Sequence, residues 1–112
     1  MNMNNTQLCP KFEEAMSMLS KRWTGLIIYQ LLSGQQRFCN IESAIGISGR
    51  LLSERLKELE KLGIVKREIY PETPVRIEYS LTEKGRALEP LMREIEKWSE
   101  TWLEAQPAAK QK

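Results

Sequence analysis

Apolar residues along the chain fall into short runs whose spacing switches from helical to extended and back. Phe12, Ala15, Met16 and Leu19 stand at i, i+3, i+4 and i+7, one face of a helix over about 11–20. Pro10 suits its first position, where no backbone donor is needed. A second helix starts near Trp23 and carries Ile27, Ile28, Leu31 and Leu32, with Gly34 at its end. Gln35 to Phe38 reads as a connector or small strand, followed by a short helix over 39–44. Gly46 and Gly49 bracket a tight turn at Ile47-Ser48. The clearest helix covers 49–62, with Leu52, Leu56, Leu59 and Leu62 as one stripe and Gly63 closing it.

The period then becomes two. Residues 64–70 are rich in β-branched side chains, and Val75, Ile77, Tyr79 and Leu81 alternate with Arg76, Glu78 and Ser80. Pro71-Glu72-Thr73-Pro74 reads as a stiff hairpin tip. Thr82 caps a last helix over 83–105, whose stripe is Leu88, Leu91, Met92, Ile95, Trp98 and Trp102. The polar start, 1–9, is expected to be loose and the end, 106–112, a disordered tail. With 112 residues and no internal repeat, the expectation is one domain over 1–105.

Composition removes most chemistry. All 15 acidic residues are Glu, and Asp and His are absent. No Ser-His-Asp or Cys-His site, imidazole zinc site or Asp-ligated calcium loop can be built. No enzyme activity, cofactor or metal is expected. The longest apolar run, Leu26 to Tyr29, is far too short to span a membrane, and the N-terminal residues lack the pattern of a signal peptide. A cytoplasmic location follows as an expectation, with Cys9 and Cys39 as free thiols.

The element order is helix, helix, short helix, turn, helix, strand, hairpin tip, strand, helix. That is a winged helix-turn-helix, mainly α with a small β-wing, with N- and C-terminal dimerisation helices over about 11–20 and 83–105. Helix 49–62 becomes the element that enters the DNA major groove. With its leucines turned to the core, its opposite face holds Arg50, Ser53, Glu54 and Lys57. Arg37, Lys66 and Arg76 are expected beside it as further DNA contacts. Charge agrees: Ser48 to Arg67 holds six basic residues against three acids, while Thr82 to Glu104 carries a net charge of −2. Phe12, Met16, Leu88, Met92, Ile95 and Trp102 are expected to form a homodimer interface, because monomers rarely expose such stripes.

Several segments together resemble the HxlR family of MarR-like winged-helix transcriptional regulators. They are Cys9-Pro10-Lys11-Phe12, Lys21-Arg22-Trp23 with Gly25-Leu26-Ile27, Arg37-Phe38, Leu52 to Leu59, Gly63 to Arg67, Pro71 to Val75 and Tyr79 to Gly85. The resemblance spans about residues 9 to 103. It implies a cytoplasmic homodimer that binds inverted-repeat operators. It further implies a repressor that senses quinones, diamide or other electrophiles through a cysteine just before the first helix, where Cys9 stands. Some such sensors carry a C-terminal cysteine partner; this chain has no cysteine after Cys39. A Cys9–Cys9 bridge between subunits or a mixed disulfide is the resulting expectation.

The residues supply their own case for Cys9. A helix N-terminus favours an anion and hence a thiolate, and Lys11 adds positive charge that Glu13 and Glu14 oppose. Cys39 is expected to be a packed structural residue, with a secondary redox role as the alternative. The tryptophans are read as packing rather than a ligand cage. Two other functions stay open: control by a reversible small ligand at the dimer interface, and a winged helix for protein contact, which the wing acids Glu68, Glu72 and Glu78 favour.

Overall fold

A computed structural model describes residues 9–104. The expected loose start before Cys9 and the tail over 106–112 lie outside the described residues. The helices are α1 (Pro10–Leu19), α2 (Thr24–Leu31), α3 (Phe38–Ile45), α4 (Gly49–Lys61), α5 (Glu83–Arg86) and α6 (Glu89–Trp102). Strands β1 (Gln36–Arg37), β2 (Val65–Tyr70) and β3 (Arg76–Leu81) form an antiparallel sheet in the order β1-β3-β2. Glu68 and Ile69 of β2 face Glu78 and Ile77 of β3, and Arg37 of β1 faces Glu78 from the other side.

The core lies where α2, α3 and α4 meet the sheet. Ile27, Ile28 and Leu31 of α2, Ile41 of α3 and Leu52 of α4 are fully buried, and Leu56 and Leu59 nearly so. Each such side chain contributes about 1.5–3 kcal/mol relative to exposure. The ends of α4 are set locally. The Ser48 hydroxyl accepts a hydrogen bond from the Leu51 amide at 3.2 Å, capping the start. At the far end Gly63 sits at φ 77, and the Gly63 and Ile64 amides donate back to the Glu60 and Leu59 carbonyls. That paired arrangement needs a left-handed residue after the helix, which glycine supplies without strain.

Gly85 serves a different end. A Cβ there would collide with the Ile64 carbonyl oxygen, so only glycine lets α5 rest on the start of β2. Thr82 fastens the same junction: its hydroxyl contacts the Gly63 and Ile64 carbonyls and accepts from the Gly85 amide at 3.1 Å.

The structure corrects four expectations of pattern. The last helix is broken between α5 and α6 and stops at Trp102. Pro90 is the reason: inside a continuous helix it would lack the donor for the Arg86 carbonyl and clash with it, so α6 starts afresh with Pro90 in its first turn. Leu62 caps α4 and is exposed, so the core stripe ends at Leu59. Met92 is buried in its own chain's core and is not free for a partner. Alternation on the strands also gives way to distance from the core. Ser80 is buried at the base of the wing, while Ile69 and Val75 are exposed toward its tip.

Candidate nucleic-acid interface and thiol sites

Arg50, Ser53 and Lys57 recur every three to four residues on α4, which sets them on one helix face. Arg50 and Lys57 are exposed and Ser53 is half-buried. Arg50 borders a shallow depression with Ser48, Leu51 and Glu54. Among the described residues, Arg50, Lys57, Lys61, Lys66 and Arg67 form no ion pair. Their charge is therefore available to a polyanion. Lys61 and Arg67 enter the sequence argument only as charge, yet both are exposed, like Lys57.

The other basic candidates are engaged. Arg76 of the wing binds Glu72 at 2.8 Å and Glu78 at 2.5 Å, and its guanidinium stacks 4.0 Å from the Tyr70 ring. The Glu72 hydrogen bond, more than any other contact, pushes the Arg76 pKa further up; the same bond holds the Glu72 carboxyl below its ordinary range. Arg37 is largely exposed but stands 4.0 Å from Glu78. These arginines offset the like charges of Glu68 and Glu78, which face each other across the strands. Arg55, counted from sequence with the basic reading head, is turned inward: its side chain is 13% exposed and hydrogen-bonds the Arg22 carbonyl at 3.0 Å.

The outer helices leave apolar side chains uncovered. No residue of α1 is buried, and Phe12 and Met16 are exposed. Ile95, Trp98 and Trp102 of α6 are exposed, as is Leu26 of α2. Leu19, Trp23, Leu26, Tyr29, Met92 and Ile95 line a groove of about 350 Å³. At its rim the Tyr29 hydroxyl donates to Glu96 at 2.7 Å, and Arg93 pairs with Glu96 and Glu89, each at 3.3 Å. The hydrogen bond with Glu96 is the main cause of a raised Tyr29 pKa and of a lowered Glu96 pKa. Leu88 is half-buried at the start of α6 and lines a second groove, beneath α1, of about 430 Å³ with Lys11, Ala15, Met18, Leu62 and Ile64.

Both thiols are free and exposed. Cys9 is the N-cap of α1; its carbonyl accepts from the Glu13 amide at 3.1 Å, and its side chain makes no cap hydrogen bond. The exposure of Cys39 overturns its expected packing. In α3 the core-facing side is set by Phe38, Ile41 and Ile45, so Cys39, about 100° per residue round the helix, points roughly 130° from the middle of that face.

A family model for an HxlR-like helix-turn-helix matches residues 18–107. The chain belongs to this family. Among its relatives is the uncharacterized HTH-type transcriptional regulator YvaP of Bacillus subtilis, 60% identical over 103 residues, 91% of this chain and 95% of that protein. The HTH-type transcriptional regulator YodB of the same organism is 50% identical over 91% of each chain. The reduced form of YodB superposes with a TM-score of 0.77 at 48% identity, covering 90% of this chain and all of that one. The redox regulator HypR in its oxidized form gives a TM-score of 0.79 at 37% identity, covering 87% of this chain and all of HypR. YodB is also known in diamide-treated and quinone-bound forms, which align with TM-scores of 0.72 and 0.74. The chain is thus a transcriptional regulator with a winged-helix fold. Among the described residues no helix is long and apolar enough to cross a membrane.

Proposed function

We propose that the chain is a homodimeric repressor that binds an inverted-repeat operator through α4 and the wing, and releases it when Cys9 reacts with a quinone, diamide or another oxidant. The carrying observation is the placement of Cys9: an exposed thiol at the head of α1, a helix with no fully buried residue, which rests only Met18 and Leu19 partly on the core and leaves Phe12 and Met16 exposed. Such a helix is completed by a partner, so a group added at its head bears on the dimer. The diamide-treated and quinone-bound forms of YodB support the chemistry.

In the quinone reaction the Cys9 thiolate adds to a ring carbon. A carbon–sulfur bond forms, a proton goes to one carbonyl oxygen, and the hydrogen of the attacked carbon shifts to the other as the quinone becomes a hydroquinone thioether. With diamide, the sulfur adds to one nitrogen of the N=N bond and the proton to the other; a second thiolate then attacks that sulfur, the sulfur–nitrogen bond breaks, and the hydrazine leaves behind a disulfide. The partner subunit's Cys9 and a small cellular thiol are candidates for that second thiol. The exposed Cys39 joins them. Two-fold symmetry fixes the spacing of the two α4 helices, so displacing α1 at the interface weakens binding to one half-site. A loss of about 3 kcal/mol reduces affinity more than a hundredfold.

The test compares the parent, Cys9→Ser and Cys39→Ser on DNA selected from a randomised inverted-repeat library. Cys9→Ser should bind and ignore benzoquinone, and Cys39→Ser should respond to it as the parent does. Release of Cys9→Ser by benzoquinone refutes the assignment. A second reading, control by a reversible ligand, rests on the apolar groove beneath α1, whose size suits a small molecule. A ligand acting there releases parent and Cys9→Ser alike.

A further inference from the structure

We propose that Arg55 is a positioning residue that clasps the α1–α2 turn to the recognition helix and thereby sets one wall of the groove between α2 and α6. Its consequence for DNA rests on the reading of α4 given above; its effect on the groove does not.

The argument starts at Trp23. This residue caps the start of α2 at φ 80, ψ −21, and it is the one non-glycine among the described residues with a positive φ. A bulky side chain rarely adopts that conformation, and it persists only where the surroundings impose it. The peptide plane between Arg22 and Trp23 carries the Arg22 carbonyl, and its orientation about the Trp23 N–Cα bond is φ itself. Arg55 donates from Nε to that carbonyl at 3.0 Å. The grip is fixed at both ends. Glu58 lies 3.5 Å and Glu54 4.0 Å from the Arg55 Nη1. Lys21, on the turn, reaches the same Glu58 carboxylate at 3.0 Å. Arg22 in turn lies over the Trp23 ring at 4.7 Å.

Trp23 then lines the groove with Leu26, Tyr29, Met92 and Ile95. A contiguous series of contacts therefore runs from the middle of α4, through one carbonyl, to the wall of the groove between α2 and α6. The inward turn of Arg55 has a sequence signature. Leu52, Arg55, Leu56 and Leu59 stand at i, i+3, i+4 and i+7, so Arg55 occupies a core-facing position of the stripe.

The experiment uses the full chain labelled with 5-fluorotryptophan, whose three tryptophans give three fluorine resonances assigned by Trp→Phe variants. In Arg55→Met the Trp23 resonance should move while those of Trp98 and Trp102 hold nearly still. Operator affinity should fall about tenfold with the salt dependence unchanged. In Arg55→Lys, where one ammonium cannot serve the carbonyl and the carboxylates together, the Trp23 resonance should lie between the two. This variant also gives the answer if Arg55→Met does not fold. A Trp23 resonance that stays put in these variants overturns the proposal. So does a salt slope lowered by about two per dimer, the signature of one phosphate interaction removed from each half-site. If the unsubstituted chain binds no DNA, the reading of α4 fails instead, and the Trp23 resonance alone still decides the role of Arg55.

Discussion

Helices α4 and α6 are of nearly equal length, 13 and 14 residues, and each carries an apolar stripe. In α4 the stripe is used inside the chain: Leu52, Leu56 and Leu59 are buried against α2, α3 and the sheet. In α6 only Met92 is buried, and Leu91, Ile95, Trp98 and Trp102 stay exposed. Helix α1 follows α6, with Phe12 and Met16 uncovered. The contrast separates two tasks. One chain buries the stripe of α4; the outer helices leave apolar surface that the proposed dimer would cover, and Cys9 heads one of them.

The comparison breaks most readily in the core. Leu56→Ala should destabilise the fold by about 2–5 kcal/mol, read as a lowered urea midpoint, because it leaves a cavity beneath α4. Trp98→Ala should act on association instead. At roughly 2 kcal/mol per copy and two copies per dimer, it should raise the dimer Kd several hundredfold in sedimentation while the secondary structure persists. A loss of fold from Trp98→Ala that matches Leu56→Ala refutes the division of tasks.

Within the reading head two basic residues should differ. Arg50→Ala should cost about 1–3 kcal/mol and relax base preference at one position of each half-site. Lys57→Ala should weaken binding to all sequences and flatten the salt dependence by about one for each phosphate it no longer neutralises. Titrations on selected and scrambled DNA across a salt series separate the two.

The smallest effect concerns the rim of the groove. Glu96 has a lowered pKa in the fold, so its contribution is present above its ordinary value and fades as pH falls through the depressed one. Tyr29 has a raised pKa, so its contribution is present below its ordinary value and fades as alkali ionises the phenol. Tyr29→Phe should therefore melt lower than the parent near neutrality, and the two should converge in acid below the Glu96 carboxyl range. A constant difference across that range contradicts the assignment.

Much of this was legible in the sequence. The leucine stripe, Ser48 and Gly63 define α4 by local rules, and the structure repeats them. Pro90 is equally visible in the sequence and marks the break between α5 and α6, which the apolar stripe alone does not show. What stayed hidden depends on long-range neighbours. Nothing local marks Trp23 as left-handed or joins Tyr29 to Glu96 across 67 positions. Cys39 looked packed because cysteine usually is; its angle from the Phe38–Ile41–Ile45 face decides otherwise. Arg76 is expected from sequence as a DNA contact, and nothing local shows that Glu72 and Glu78 both pair with it.

The central claim is that the chemical state of Cys9 controls DNA release. The most direct measurement titrates the parent with benzoquinone and follows two quantities in the same samples: adduct occupancy at each cysteine by peptide mass spectrometry, and the fraction of operator released. Release should rise with Cys9 occupancy and be independent of Cys39 occupancy. Operator still fully bound when Cys9 is fully modified, or release that follows Cys39 instead, contradicts the account.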